Sequence, residues 1–137
     1  MDLKKIKPKK ITSFNFRKFG WVIDLPDRNK KPKNINLFRI VVRQSGPGWR
    51  IAYLVVRDAF ISKLEQHPDS LESFEPVSGR GLIYLTRKKD SRSIECFFLD
   101  RPVILKKGIW HGVLKTGGDF DVKITENSKV KCVYWKI

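Results

Sequence analysis

The chain contains only two histidines, His67 and His111, and each stands among residues suited to metal or acid–base chemistry. The segment LEQHPDSLESFEP (64–76) places Glu65 two residues before His67 and Glu72 five residues after it. On a β-strand residues two apart share a face, so Glu65 and His67 would project together. The second histidine lies in KKGIWHG (106–112), three residues after Gly108. Two imidazoles and two carboxylates, Glu65, His67, Glu72 and His111, make a ligand set for one divalent ion, since Mn, Fe, Ni and Zn all accept imidazole and carboxylate. A plainer reading stays open. His67 before Pro68 would end a strand in a polar turn, Glu65 and Glu72 would be solvated charges balanced by Lys63 and Arg80, and Trp110 would be packing.

These residues sit in a chain whose pattern is β almost throughout. The runs LFRIVVR (37–43), WRIAYLVVR (49–57), GLIYLTR (81–87), IECFFLD (94–100), PVIL (102–105), WHGVL (110–114), FDVKIT (120–125) and VKCVYWKI (130–137) are rich in Val, Ile and aromatic residues. Turn-forming segments separate them: SGPG (45–48), KKDSRS (88–93), TGGD (116–119) and ENSK (126–129). Roughly eight to ten short strands with tight turns in one small chain predict a sandwich or barrel. Before them, Thr12 or Ser13 is placed to cap one short helix ending at Gly20, and Trp21 to Asp24 to form a strand. DAFISKLEQH (58–67) also fits a helical stripe, and Asp69 with Glu72 a capping box, but Pro76 and Gly79 would stop such a helix at once. The preferred reading there is strand, turn, strand.

With 137 residues, 41% of them hydrophobic, the chain suffices for one core. The expected organisation is a lysine-rich, mobile segment over 1–10 and a single domain over 11–137. The formal charge of +15 produces a field that attracts nucleic acid, acidic surfaces or small anions without choosing among them. Its cationic clusters (4–10, 28–33 and 87–92) coincide with Pro, Asn, Asp and Ser, the pattern of solvated loops. No stretch approaches the ~18 consecutive apolar residues of a membrane helix, and no signal peptide is evident, so a soluble, cytoplasmic protein without a membrane partner is expected. Cys96 and Cys132 each fall inside an apolar run and read as buried, reduced thiols; without a CxxC or Cys/His cluster no structural zinc site is expected.

The order Glu65-x-His67, Glu72, Gly79, then Gly108-x-x-His111 resembles the two motifs of cupins, with Glu65 where those usually have a first histidine and Lys106 where they have proline. Within the cupins, the chain looks most similar to the ureidoglycolate lyase family. The segment Phe16-Arg17-Lys18-Phe19-Gly20-Trp21-Val22-Ile23, the run from Leu64 to Pro68 with Phe74 and Pro76, and Gly108-Ile109-Trp110-His111 carry that resemblance. It implies an all-β cupin (RmlC-like) double-stranded β-helix, or jelly-roll barrel, with a short N-terminal helix. It also implies a homodimer, and cleavage of ureidoglycolate to glyoxylate and urea or chemistry on a related small anionic carbonyl or hydroxy acid.

Such a cleavage needs a base for the hydroxyl proton, an acid for the leaving nitrogen and cations for the carboxylate. On this reading His111, with an ordinary pKa near neutrality, is the base, and His67 or a protonated Glu72 the acid. Arg57 and Lys106 meet the substrate carboxylate, Trp110 walls the pocket and Tyr84 donates a hydroxyl. A metal, if held, would sit on Glu65, His67, Glu72 and His111. Two other functions fit the sequence: a non-catalytic cupin binding a sugar or carboxylate, and a basic β-barrel stacking nucleic-acid bases on Trp21, Trp49 and Phe38. No nucleic-acid-binding motif supports the latter.

Overall fold

The computed structural model describes residues 2–46 and 48–137. Among the described residues eleven strands form two sheets: β1 (Pro8–Lys9), β2 (Gly20–Val22), β3 (Trp49–Val56), β4 (Lys63–Gln66), β5 (Glu72–Ser78), β6 (Gly81–Thr86), β7 (Glu95–Phe98), β8 (Val103–Leu105), β9 (Trp110–Lys115), β10 (Phe120–Asn127) and β11 (Val133–Lys136). The six-stranded sheet runs β1-β7-β6-β9-β4-β11 and the five-stranded sheet β2-β8-β5-β10-β3. Every pairing is antiparallel except β1 with β7. The all-β jelly-roll expectation is met.

Between the sheets lies one apolar core, in which Phe16, Phe19 and Phe97 meet edge to face at centroid distances of 5.6 to 6.1 Å. Alternation along β10 shows how the pattern builds it: Phe120, Val122 and Ile124 turn inward while Asp121, Lys123 and Thr125 turn out. β6 is buried on both faces. Ile83 and Leu85 enter the central core, whereas Leu82 and Tyr84 join a second cluster with Leu3, Leu64, Cys96, Trp110 and Leu114 on the outer side of the six-stranded sheet.

Covering that outer side is the work of the N-terminus. Residues 2–10 dock against the sheet: Leu3 is buried, Ile6 packs beside it, and β1 pairs Pro8 with Cys96 and Lys9 with Phe97. The lysines point to solvent while the two apolar residues among them dock. The helix is shorter than predicted. α1 (Ser13–Phe16) is capped by Thr12, whose hydroxyl accepts from the Asn15 N–H while Asn15 accepts from the Thr12 N–H. Gly20 belongs to β2, where any Cβ would stand 1.7 Å from the Ile104 carbonyl oxygen.

One predicted strand is absent. LFRIVVR (37–43) joins neither sheet, and Phe38 is 89% exposed. β-Propensity describes side chains that fit a pleated surface, but a strand also needs a partner edge, and within this chain the segment finds none. The SGPG turn includes Pro47, which lies outside the described residues. The 58–67 segment is loop followed by β4, and Glu72 opens β5 rather than a helix.

Candidate metal centre

Three strands from the two sheets converge on the candidate residues. The six-stranded sheet places Glu65 of β4 directly opposite His111 of β9, with His67 just beyond the end of β4. The five-stranded sheet supplies Glu72 from the start of β5. Gly108 ties the two sequence motifs together: its positive φ of 75° lets the turn before β9 fold back so that its N–H donates to the His67 carbonyl, 2.9 Å away. His67, Glu72 and His111 are all buried, so the solvated-charge reading of Glu72 and the polar-turn reading of His67 are both set aside.

The two imidazoles are held the same way. His67 Nδ1 lies 3.1 Å from the Lys131 carbonyl and His111 Nδ1 lies 2.9 Å from the Ile109 carbonyl. A carbonyl only accepts, so each Nδ1 carries the hydrogen and each Nε2 is the free position. Both Nε2 atoms face one carboxylate oxygen, Glu72 Oε1, at 3.3 and 3.0 Å. Yet neither Glu72 Oε1 nor His111 Nε2 has a partner in hydrogen-bonding geometry. Buried polar atoms are normally satisfied, so these two unsatisfied atoms, with His67 Nε2 beside them, form an arrangement that could hold a cation. A backbone carbonyl behind each imidazole is the usual support of a metal-bound histidine. His67, Glu72 and His111 bring their ligand atoms within 4.8 Å of one another, and Glu65 Oε1 adds a further oxygen 3.6 Å from His111 Nε2. The donor set of nitrogen and carboxylate oxygen fits Mn, Fe, Ni or Zn.

Without a cation the same atoms form an ion pair. Burial disfavours a charged imidazole, but the Glu72 carboxylate, with Glu65 behind it, outweighs that and lifts His111 from 6.5 to about 10. Burial likewise opposes a charged Glu72, yet the imidazoles, His111 first, pull it down to about 2. His67 is raised by Glu72 against its burial, and Glu65 is lowered chiefly by His111. The expectation of a near-neutral His111 is therefore corrected: in the metal-free protein it is a cation at neutral pH. Glu72 is an anion rather than a protonated acid.

Glu126 is the residue that sequence reasoning missed. It pairs with Glu72 in the β5–β10 register, is buried, and receives both Nε and Nη2 of Arg50 on Oε2, at 2.9 and 2.7 Å, leaving Oε1 without a partner. Burial first, then the Glu72 carboxylate, raise its pKa against the pull of Arg50. An acid at an inward position of the alternating FDVKITE pattern was the available signal.

The centre opens into a cavity of about 310 Å³ whose walls include Leu54, Val55, Phe74, Val113 and Ile124, with Arg57 and Asp58 at its rim and Glu65, Glu72 and His111 at its base. Arg57 is thus at the mouth, bound to Asp119 through Nε and Nη2. Three other expected contacts lie elsewhere. Tyr84 and Trp110 have the opposite strand parity to His111 and pack in the outer cluster, and burial raises the Tyr84 hydroxyl well above its ordinary range. Lys106 extends over the Trp21 ring, 6.0 Å from its centroid. A larger cavity of about 700 Å³ opens near the other end of β5, around Pro76, Gly79 and Leu82, and contains neither histidine nor glutamate.

No protein-family model matches the sequence, and no curated protein matches it significantly. Solved structures do share the architecture. A cupin 2 domain-containing protein from Halorhodospira halophila is 18% identical with a TM-score of 0.50, over 69% of this chain and 61% of that one. The capsular polysaccharide assembling protein CapF from Staphylococcus aureus is 16% identical with a TM-score of 0.56, over 66% of this chain and 27% of that one. The chain spans about a quarter of CapF and less than two thirds of the cupin 2 protein. At these identities the likeness is one of fold: the chain has the cupin fold. Among the described residues no helix is long and apolar enough to cross a membrane.

Proposed function

We propose that this chain is a mononuclear divalent-metal cupin enzyme acting on a small anionic carbonyl or hydroxy-acid substrate, of which ureidoglycolate is the first to test. One observation carries the metal: two imidazoles, each committed through Nδ1 to a backbone carbonyl, aim Nε2 at the same buried and otherwise unsatisfied carboxylate oxygen. The preference for ureidoglycolate rests on the three sequence segments that resemble its lyases.

His67, Glu72 and His111 would hold the ion, which would act as a Lewis acid on substrate oxygens. With both Nε2 atoms so committed, neither histidine is the base. Glu65 takes that part: it lies half-exposed at the base of the cavity, and a glutamate there is ionised at neutral pH. Glu65 accepts the hydroxyl proton of the carbinol urea as its C–N bond breaks, and returns that proton to the urea nitrogen, so that glyoxylate and urea leave without water. Arg57 at the rim supplies a cation for the substrate carboxylate. A 310 Å³ cavity suits so small a compound.

We also assign the homodimer expected from the resemblance to the exposed edge of β3 and the unpaired 37–43 segment. Metal analysis of untagged protein, with glyoxylate release measured from ureidoglycolate, tests the main reading. One equivalent of transition metal together with turnover lost in Glu65→Gln supports it. Absence of metal after growth in metal-supplemented medium overturns it. Metal without turnover leaves a metal-binding, non-catalytic cupin.

A further inference from the structure

Two more sequence expectations fail. Cys132 is exposed rather than buried, and Arg80 balances neither Glu65 nor Glu72. β5 runs from Glu72 at the candidate metal centre to Ser78, and Arg80 sits past its far end, in the turn to β6. That turn is fixed by its glycine. Gly79 adopts a φ of 82°, a Cβ there would stand 2.2 Å from the Asp119 carbonyl oxygen, and the Arg80 carbonyl accepts from the Thr116 N–H. Just before the turn, Ser78 pairs with Asp121 and Pro76 with Val122, so Val77 is the extra residue of a β-bulge, a device common beside functional sites.

Turn and bulge together line the cavity of about 700 Å³, a size that takes small organic ligands. Its apolar wall comes from Val77, Leu82, Phe98 and Leu99, of which Val77 and Phe98 are exposed. Its polar side chains are Ser78, Arg80, Asp100 and Thr116, and among the described residues none of the four makes a side-chain hydrogen bond or an ion pair. Arg80 and Asp100 are therefore opposite charges that line one cavity without meeting. A ligand with a single charge would satisfy one of them and be repelled by, or leave desolvated, the other. A zwitterion satisfies both, and an apolar body on it covers the exposed wall.

We infer that this cavity binds an α-amino acid with a large apolar side chain, its carboxylate on Arg80, its ammonium on Asp100 and its side chain against Val77, Leu82 and Phe98. The inference does not depend on the metal reading, and chelator is kept in every titration so that no ion can hold the ligand instead. The full chain is titrated calorimetrically with L-phenylalanine, 3-phenylpropionate, 2-phenylethylamine and glycine. L-phenylalanine is expected to bind, and the other three, each lacking one of its groups, to bind at least about tenfold more weakly. Arg80→Gln and Asp100→Asn should each weaken L-phenylalanine by at least about tenfold, with urea unfolding midpoints unchanged because both side chains are exposed. No binding at millimolar L-phenylalanine, an affinity that survives either substitution, or an analogue that binds as well as L-phenylalanine overturns the inference.

Discussion

Removing Glu72 should flatten how the metal-free protein responds to pH. In wild type the buried His111 pKa rises from 6.5 to about 10. A folded-state pKa above the unfolded one adds stability that is fully present below pH 6.5 and disappears as pH climbs through about 10, at about 1.4 kcal/mol per pH unit. The whole effect is on the order of 5 kcal/mol. Coulomb attraction gives the same scale: unit charges 3.0 Å apart, as His111 Nε2 and Glu72 Oε1 are, attract by about 5 kcal/mol at an effective dielectric of about 20. Glu72, lowered from 4.5 to about 2, contributes above pH 4.5 and fails as pH falls through about 2, so the metal-free optimum lies between pH 4.5 and 6.5. The assay is urea unfolding with chelator at several pH values from 6 to 9, below the range where lysine deprotonation eases the repulsion of a +15 chain. Wild type should lose stability across this window. Glu72→Gln should lose less, because its His111 keeps only the half-exposed Glu65 to set against its burial. Saturating Zn2+ should invert the wild-type slope, since imidazoles bind metal only when unprotonated. A metal-free wild type whose stability stays level from pH 6.5 to 9, or a Glu72→Gln protein that declines just as steeply, would refute the ion-pair argument.

Three further outcomes are expected. His67→Ala and His111→Ala should each abolish stoichiometric metal binding, read by elemental analysis of the purified variants, while circular dichroism stays that of a β protein. Gly81→Ala should cost about 2–3 kcal/mol in urea unfolding, since its Cβ would meet Phe120 Cδ2 at 2.2 Å and the Leu114 carbonyl oxygen at 2.4 Å; Gly117→Ala, with nothing within 4 Å, should change stability by less than about 0.5 kcal/mol. Sedimentation at micromolar concentration should show a dimer that Phe38→Lys together with Ile51→Lys converts to monomer, and a monomeric wild type would remove the proposed interface.

Strand positions were legible because alternation survives in the letters: Phe120, Val122 and Ile124 announce an inward face, and the acid that continues it, Glu126, was visible in the same pattern. Register was not. Tyr84 and Trp110 are two strong functional residue types, but only the pairing of Tyr84 with Gly112 and Thr86 with Trp110 shows that they face away from His111. The N-terminal lysines concealed Leu3 and Ile6, whose burial depends on an outer face that no local pattern describes. LFRIVVR misled for the opposite reason, having every strand property except a partner within the chain. The spacing of Glu65, His67, Glu72 and His111 was informative because Gly108 folds one motif back onto the other. Their protonation was not, since His111 owes its raised pKa to neighbours from other strands.

The candidate ligands come from both sheets, His67 and His111 from one and Glu72 from the other. An ion seated there acts as a staple across the sandwich, closing loops in the chain much as a cross-link does. The sheets could then separate only after the ion departs. Loading should therefore slow unfolding more than it speeds folding, and the deepest amide protons of β5 and β9 should exchange on the timescale of metal release.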